Sequence, residues 1–200
     1  MLQSWEERYS EEEFAYGKEP NKFFKDEIDK LNPGRLLLIG EGEGRNAVYA
    51  AKLGWAVDAV DFSEMAKKKA LTLAGENNVV INYNVRDLNQ FEPKENYYDA
   101  AGIIFIHLDD ELRRKVHYEI VRSLRENGRV ILEAFEKEQI KRNSGGPKNV
   151  GLLYSLEDIV SDFIELDFQK LSKETVTLDE GKYHLGEAVV VRFAGKKIVN

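Results

Sequence analysis

Residues 35–63, RLLLIGEGEGRNAVYAAKLGWAVDAVDFS, constrain the fold more than any other part of the chain. The stretch opens with a short continuous apolar run, 35–40, that ends in glycine and reads as a strand buried on both faces. Ala47, Val48, Ala50, Ala51 and Leu53 then fall at helical spacing, with Gly54 as a stop. A second strand, 56–63, ends its apolar pattern at Asp61, and Ser63 is placed to cap a helix over 64–75. Parallel strands need such a crossover helix between them.

The alternation continues along the chain. Residues 79–85 and 98–107 read as the third and fourth strands, and Pro93 keeps 87–97 irregular. Leu112, Val116, Ile120, Val121 and Leu124 share one helical face, closed by 126–128 (ENG), and 129–135 is a fifth strand. A loop rich in turn residues follows over 141–149, then a helix from Ser155, which forms a capping box with Asp158. Two last strands, 164–178 and 185–195, are joined by a connection short enough to require an antiparallel pair. The pattern predicts an α/β fold, a mostly parallel sheet between two helical layers. Two hundred residues suit one domain, 1–200. Its N-terminal part, about 1–32, lies across the edge or top of the sheet, because it precedes the first strand.

Charge and cysteine content narrow the function classes. The formal net charge is −7, which argues against a nucleic-acid partner, and the run Lys67 to Lys69 reads as a solvated helix face. No cysteine is present, so disulfides, thiolate nucleophiles and cysteine-ligated metals are excluded. His107, His117 and His184 lack ligand spacing with acidic partners, so no metal site is expected. No apolar run approaches the ~20 residues of a membrane span, and the polar, acidic N-terminus points to the cytoplasm.

Gly40, Gly42 and Gly44 lie between the first strand and its helix, where ligands bind in such sheets. Their spacing is not the G-x-G-x-x-G of dinucleotide sites, and Glu41 and Glu43 would repel a pyrophosphate. No Gly-Lys-Ser/Thr follows, so a P-loop is excluded as well. The ligand should lack phosphate and be cationic, and S-adenosylmethionine meets both conditions. Asp61, at the end of the second strand, suits its ribose hydroxyls, and Asp87 its adenine amino group.

At these residues the chain resembles the class I S-adenosylmethionine-dependent methyltransferases, in particular their tellurite-resistance and thiopurine methyltransferase-like branch. The resemblance rests on LLLIGEGEGRN with its acidic second strand, and on WEERY…FAYGKEPN, IHLDDELRRKVH, LEAF…GGPKN and GKYHLGEAVVVR, in that order. It implies a Rossmann-like three-layer sandwich whose seven-stranded sheet ends in an antiparallel strand. It also implies that Gly40 to Gly44 hold the methionine part, Asp61 the ribose, Phe62 the adenine face, and Asp87 and Leu88 its edge. Phe105, Ile106 and His107 would line the sulfonium and the acceptor entrance. Trp5, Arg8 and Tyr16 would belong to an N-terminal helical lid over the cofactor.

One departure stands out. The acidic residue that many relatives carry two positions before the first glycine is Leu38 here, and Glu41 is the candidate to replace it toward the methionine ammonium. His107 is the candidate catalytic residue, His117 reads as a surface or core-edge residue, and His184 lies at the hairpin turn. Arg142 and Lys148, in the loop after the fifth strand, are candidates to attract an anionic acceptor. The aromatics Trp5, Tyr9, Phe14 and Tyr16 form either a mobile lid or a permanently packed helix. The expected function is methyl transfer to a small molecule such as a thiol or an oxyanion. The alternative is a non-catalytic module that senses the cofactor or its demethylated product. The acceptor and the oligomeric state are not written in the sequence.

Overall fold

The computed structural model of the chain describes residues 2–198. Two helices come first, α1 (Leu2–Tyr9) and α2 (Lys22–Ile28). The alternating part follows as β1 (Arg35–Ile39), α3 (Arg45–Lys52), β2 (Ala56–Asp61), α4 (Glu64–Glu76), β3 (Asn82–Val85), β4 (Tyr98–Ile104), α5 (Asp110–Ser123) and β5 (Leu124–Phe135). The chain closes with α6 (Leu156–Asp162), β6 (Leu166–Asp179) and β7 (Leu185–Lys197).

The strands form one seven-stranded sheet in the order β3-β2-β1-β4-β5-β7-β6. β1 to β5 are parallel, and β7 runs antiparallel between β5 and β6. This is the expected α/β, Rossmann-like sandwich with its antiparallel late strand. β1 shows why the sheet is covered on both faces: Leu36 and Leu38 join one buried cluster, with Phe24, Trp55 and Val190. Leu37 and Ile39 point the other way, into a cluster with Ile103, Ile120 and Phe163.

Several strand boundaries differ from the sequence expectation, most of all at β3 and β5. β3 begins at Asn82 rather than 79, because Asn78 turns with φ 56° and Val80 stands in solvent, 89% exposed. β5 begins at Leu124 rather than 129: Leu124 pairs with Tyr98, and a register shift absorbs the turn at Asn127 (φ 65°) before Ala100 pairs with Arg129. The 87–97 stretch holds a single 3₁₀ turn, Leu88–Gln90, capped by the Asp87 carboxylate on the Asn89 amide at 2.9 Å. The capping box of α6 forms as expected between Ser155 and Asp158. Among the described residues, no helix is long and apolar enough to cross a membrane, and no group of three or more His, Cys, Asp or Glu side chains is placed to hold a metal.

Candidate active site: two adjoining cavities of opposite charge

The carboxyl ends of β1, β2 and β4 meet at the glycine loop. Gly40, Gly42 and Gly44 all have positive φ (61°, 61° and 87°), the region L side chains avoid. All three also lack room for a side chain, and at Gly40 a Cβ would lie 2.8 Å from Ile106. A Cβ on Gly42 would lie 2.9 Å from the Tyr9 hydroxyl, and one on Gly44 would lie 2.6 Å from the Cβ of Ala70. The glycines therefore let α1 and α4 close onto the loop.

The two glutamates of the loop turn inward. Glu41 accepts the Ala47 amide at 2.7 Å and the Asn46 side-chain amide at 3.4 Å, so it caps the first turn of α3. Burial pushes its carboxyl up to about 7. Glu43 accepts the Ala15 amide and the Lys69 ammonium, both at 2.7 Å, and so fastens the N-terminal segment to α4. Neither carboxylate lines the two cavities described below, and the acidity of the first comes from other residues.

Asp61 is 4% exposed and joins two loops. One of its oxygens accepts the Gly42 amide at 2.9 Å and the other the Ser63 amide at 3.0 Å. Burial raises its pKa to about 6 despite these bonds. Each oxygen keeps lone-pair capacity for a further donor.

Asp61 opens onto a cavity of about 560 Å³. Its walls include Trp5, Tyr9, Gly40, Phe62, Asp87, Leu88, Phe105, Ile106 and His107. Asp109 also lines it while capping α5 through the Leu112 amide at 3.0 Å. Three aspartates face this cavity and no lysine or arginine does.

Its floor is strained. Phe105 adopts φ 52°, uncommon for an aromatic residue, as the chain leaves β4. Its amide is held by the Glu133 carbonyl at 2.8 Å, and its ring packs 4.5 Å from Phe135 and 4.6 Å from His184. Strain of this kind, fixed by surrounding contacts, is characteristic of functional positions.

A second cavity of about 370 Å³ adjoins the first, and Trp5, His107 and Leu152 line both. Its remaining walls are Arg8 and Tyr16 from the N-terminal segment, the loop Asn143, Gly145, Gly146 and Pro147, and the hairpin residues Lys182 to Leu185. Here the charge is reversed: Arg8 and Lys182 line it and no carboxylate does. Burial, with the nearby His184, lowers the His107 pKa to about 3, and burial lowers that of His184. The Nδ1 atoms of both imidazoles are buried without a hydrogen-bond partner.

A buried ionic network holds the hairpin in place. Arg45, the first residue of α3, pairs with Glu180 at 2.7 Å and donates to the Tyr16 carbonyl at 3.2 Å. Asn21 bridges Glu180 and Glu133 at 2.9 and 2.8 Å, and Glu133 also pairs with Arg192. Against the opposing effect of burial, His184 and Arg45 hold the Glu180 carboxyl low, at about 2.

The first cavity thus gathers Trp5, Gly40, Asp61, Phe62, Asp87, Leu88, Phe105, Ile106 and His107. Arg8 and Tyr16 face the second cavity instead, and Glu41, Gly42 and Gly44 stand behind the wall. Arg142 and Lys148 are turned away: Arg142 pairs with Glu187, and Lys148 donates to the Arg142 carbonyl. His117 lies in the core, stacked 4.6 Å from Phe163 and bonded to Asp162 at 2.8 Å. Sequence reasoning missed Asn89, Asp109 and Leu152. Asp109 carried only a helix-start signal, and the others none.

The family model described as a methyltransferase domain matches residues 36–128. No curated protein matches the chain. Among solved structures, TehB from Haemophilus influenzae is 17% identical with a TM-score of 0.75, covering 89% of this chain and 62% of its own. The N-methyltransferase NodS from Bradyrhizobium japonicum, determined with S-adenosyl-L-homocysteine, is 15% identical with a TM-score of 0.73 and covers 98% and 97%. A SAM-dependent methyltransferase from Methanosarcina mazei is 13% identical with a TM-score of 0.70 and covers 91% and 100%. Residues 36–128 thus match a methyltransferase-domain model, and the chain shares its fold with solved structures described as S-adenosylmethionine-dependent methyltransferases.

Proposed function

We propose that the protein transfers a methyl group from S-adenosylmethionine to a small molecule held in the second cavity. The observation that carries this reading is the opposite charge of two cavities that meet at His107. A cationic donor belongs on the side of the three aspartates, and the acceptor on the other side.

The first cavity fits the cofactor. Asp61 is oriented by the Gly42 and Ser63 amides and keeps acceptor capacity for the ribose hydroxyls. Phe62, Leu88 and Ile106 supply apolar walls for the adenine, Asp87 an acceptor for its amino group, and Gly40 a close backbone approach for the methionine part. When bound, the cofactor supplies a methyl group activated by its sulfonium.

The chain's own residues then orient and exclude. Burial keeps His107 neutral, so it adds no like charge beside a sulfonium and offers a hydrogen-bond acceptor to the incoming nucleophile. Trp5 walls both cavities, so α1 acts as the lid that keeps water from the junction. The likeness to TehB, with the GEGEGRN and FAYGKEPN segments, supports a place near the tellurite-resistance branch.

Calorimetry with S-adenosylmethionine and S-adenosylhomocysteine tests the cofactor site, and transfer of labelled methyl to a panel of thiols, oxyanions, amines and acids tests the reaction. If neither cofactor form binds, the reading is wrong. Binding without turnover on any acceptor would make the chain a sensor rather than an enzyme.

A further inference from the structure

We propose that the second cavity admits an organic acid and that Arg8 holds its carboxylate. The inference rests on the reading of the first cavity as the cofactor site.

The Arg8 guanidinium lies over two rings, 4.5 Å from the centre of Trp5 and 4.2 Å from that of Tyr183. Stacking on aromatic faces orients a guanidinium and leaves its edge free for hydrogen bonds. One N–H is given to the Tyr16 hydroxyl at 2.6 Å. Among the described residues no carboxylate pairs with Arg8. The other cation of the cavity, Lys182, is already matched by Glu11 at 2.8 Å. The remaining N–H groups of Arg8 form the planar fork that suits a carboxylate, in a cavity with no acid on its walls. A volume of about 370 Å³ falls in the range of organic-ligand pockets and exceeds what a small inorganic oxyanion fills.

A carboxylate could come from the acceptor or from the amino-acid end of the cofactor. Arg8 lines the second cavity and not the first, which assigns it to the acceptor.

The test compares wild type with Arg8→Gln and Arg8→Lys. Each is first titrated with S-adenosylhomocysteine. The loaded proteins are then titrated with pyruvate, 3-hydroxybutyrate, benzoate and indole-3-acetate, each beside its primary amide. At least one acid should bind wild type roughly ten-fold or more tightly than its amide. Arg8→Gln should abolish that preference, Arg8→Lys should keep part of it, and all three proteins should bind S-adenosylhomocysteine alike. Equal binding of acids and amides, or binding of no acid, overturns the proposal. A loss of S-adenosylhomocysteine affinity confined to Arg8→Gln overturns it too, since the carboxylate would then be the cofactor's. If wild type itself fails to bind S-adenosylhomocysteine, the cofactor reading falls first and this inference with it.

Discussion

The Asp61 carboxylate accepts the Gly42 amide at 2.9 Å, so the end of β2 holds the middle of the glycine loop. The same carboxylate accepts the Ser63 amide at 3.0 Å. Asp61→Ala leaves two buried N–H groups unpaired, at about 1–3 kcal/mol each. Thermal stability and S-adenosylhomocysteine affinity should both fall. Asp61→Asn retains one acceptor oxygen, so it should keep more stability and still lose affinity. Melting curves and calorimetry check this, and full affinity in both variants would remove Asp61 from the cofactor site.

Gly42 and Tyr9 test the fit of α1. Gly42→Ala forces a side chain onto φ 61° and sets its Cβ 2.9 Å from the Tyr9 hydroxyl. The backbone cost alone is about 1–2 kcal/mol. Tyr9→Phe removes the atom in the way, so the double variant should be more stable than the sum of the single changes, by about 0.5 kcal/mol or more. Urea unfolding of the four proteins measures the coupling, and strict additivity would mean α1 yields freely.

Glu41 makes stability depend on pH. Its carboxyl rises from 4.5 to about 7 on folding, and that of Asp61 from 3.8 to about 6. The folded state therefore holds these protons more tightly than the unfolded state. Their stabilisation is complete below about pH 4 and is lost as the pH climbs to about 7. Glu41→Gln should be more stable than wild type at pH 8, by on the order of 2 kcal/mol, and lose the advantage at pH 4. Its cofactor affinity should match wild type, because the side chain caps α3. Unfolding at several pH values, with calorimetry, checks both.

The histidines act in the opposite direction. His117 and His184 are buried and His107 is half-buried on the cavity wall, and all three have lowered pKa values, so their contribution is present above about pH 6.5 and lost as the pH falls below it. Imidazole NMR should show no ring titrating near pH 6.5. Arg45 is among the charges that lower His184, so Arg45→Gln should move one titration upward while His107 stays in place. A signal at the ordinary histidine value in wild type would contradict the buried placement.

The sheet was legible because its signals are local. Leu36 to Ile39 must be buried on both faces, and the glycines that end the run announce the loop. Val79 and Val80 misled, since an apolar pair at a sheet edge looks like strand even where Val80 faces solvent. The first cavity was largely readable, because Gly40, Asp61, Asp87 and His107 all follow the carboxyl ends of successive strands. The second was not. Arg8, His107, Gly146 and His184 meet only through tertiary packing, and no spacing in the chain links them. The loop cations Arg142 and Lys148 looked like the anion site because unpaired basic residues beside glycines carry no sign of partners such as Glu187.

The hairpin that closes the second cavity is tied to the N-terminal segment across 159 to 172 residues, through Asn21 to Glu180 and through Tyr183 and Lys182 to Glu11. Closing so long a span carries a loop-closure entropy cost that local contacts do not. Gly40, Asp61 and His107 are brought together by a far shorter stretch of chain. The second cavity therefore joins parts of the chain much farther apart in sequence than Gly40, Asp61 and His107 of the first.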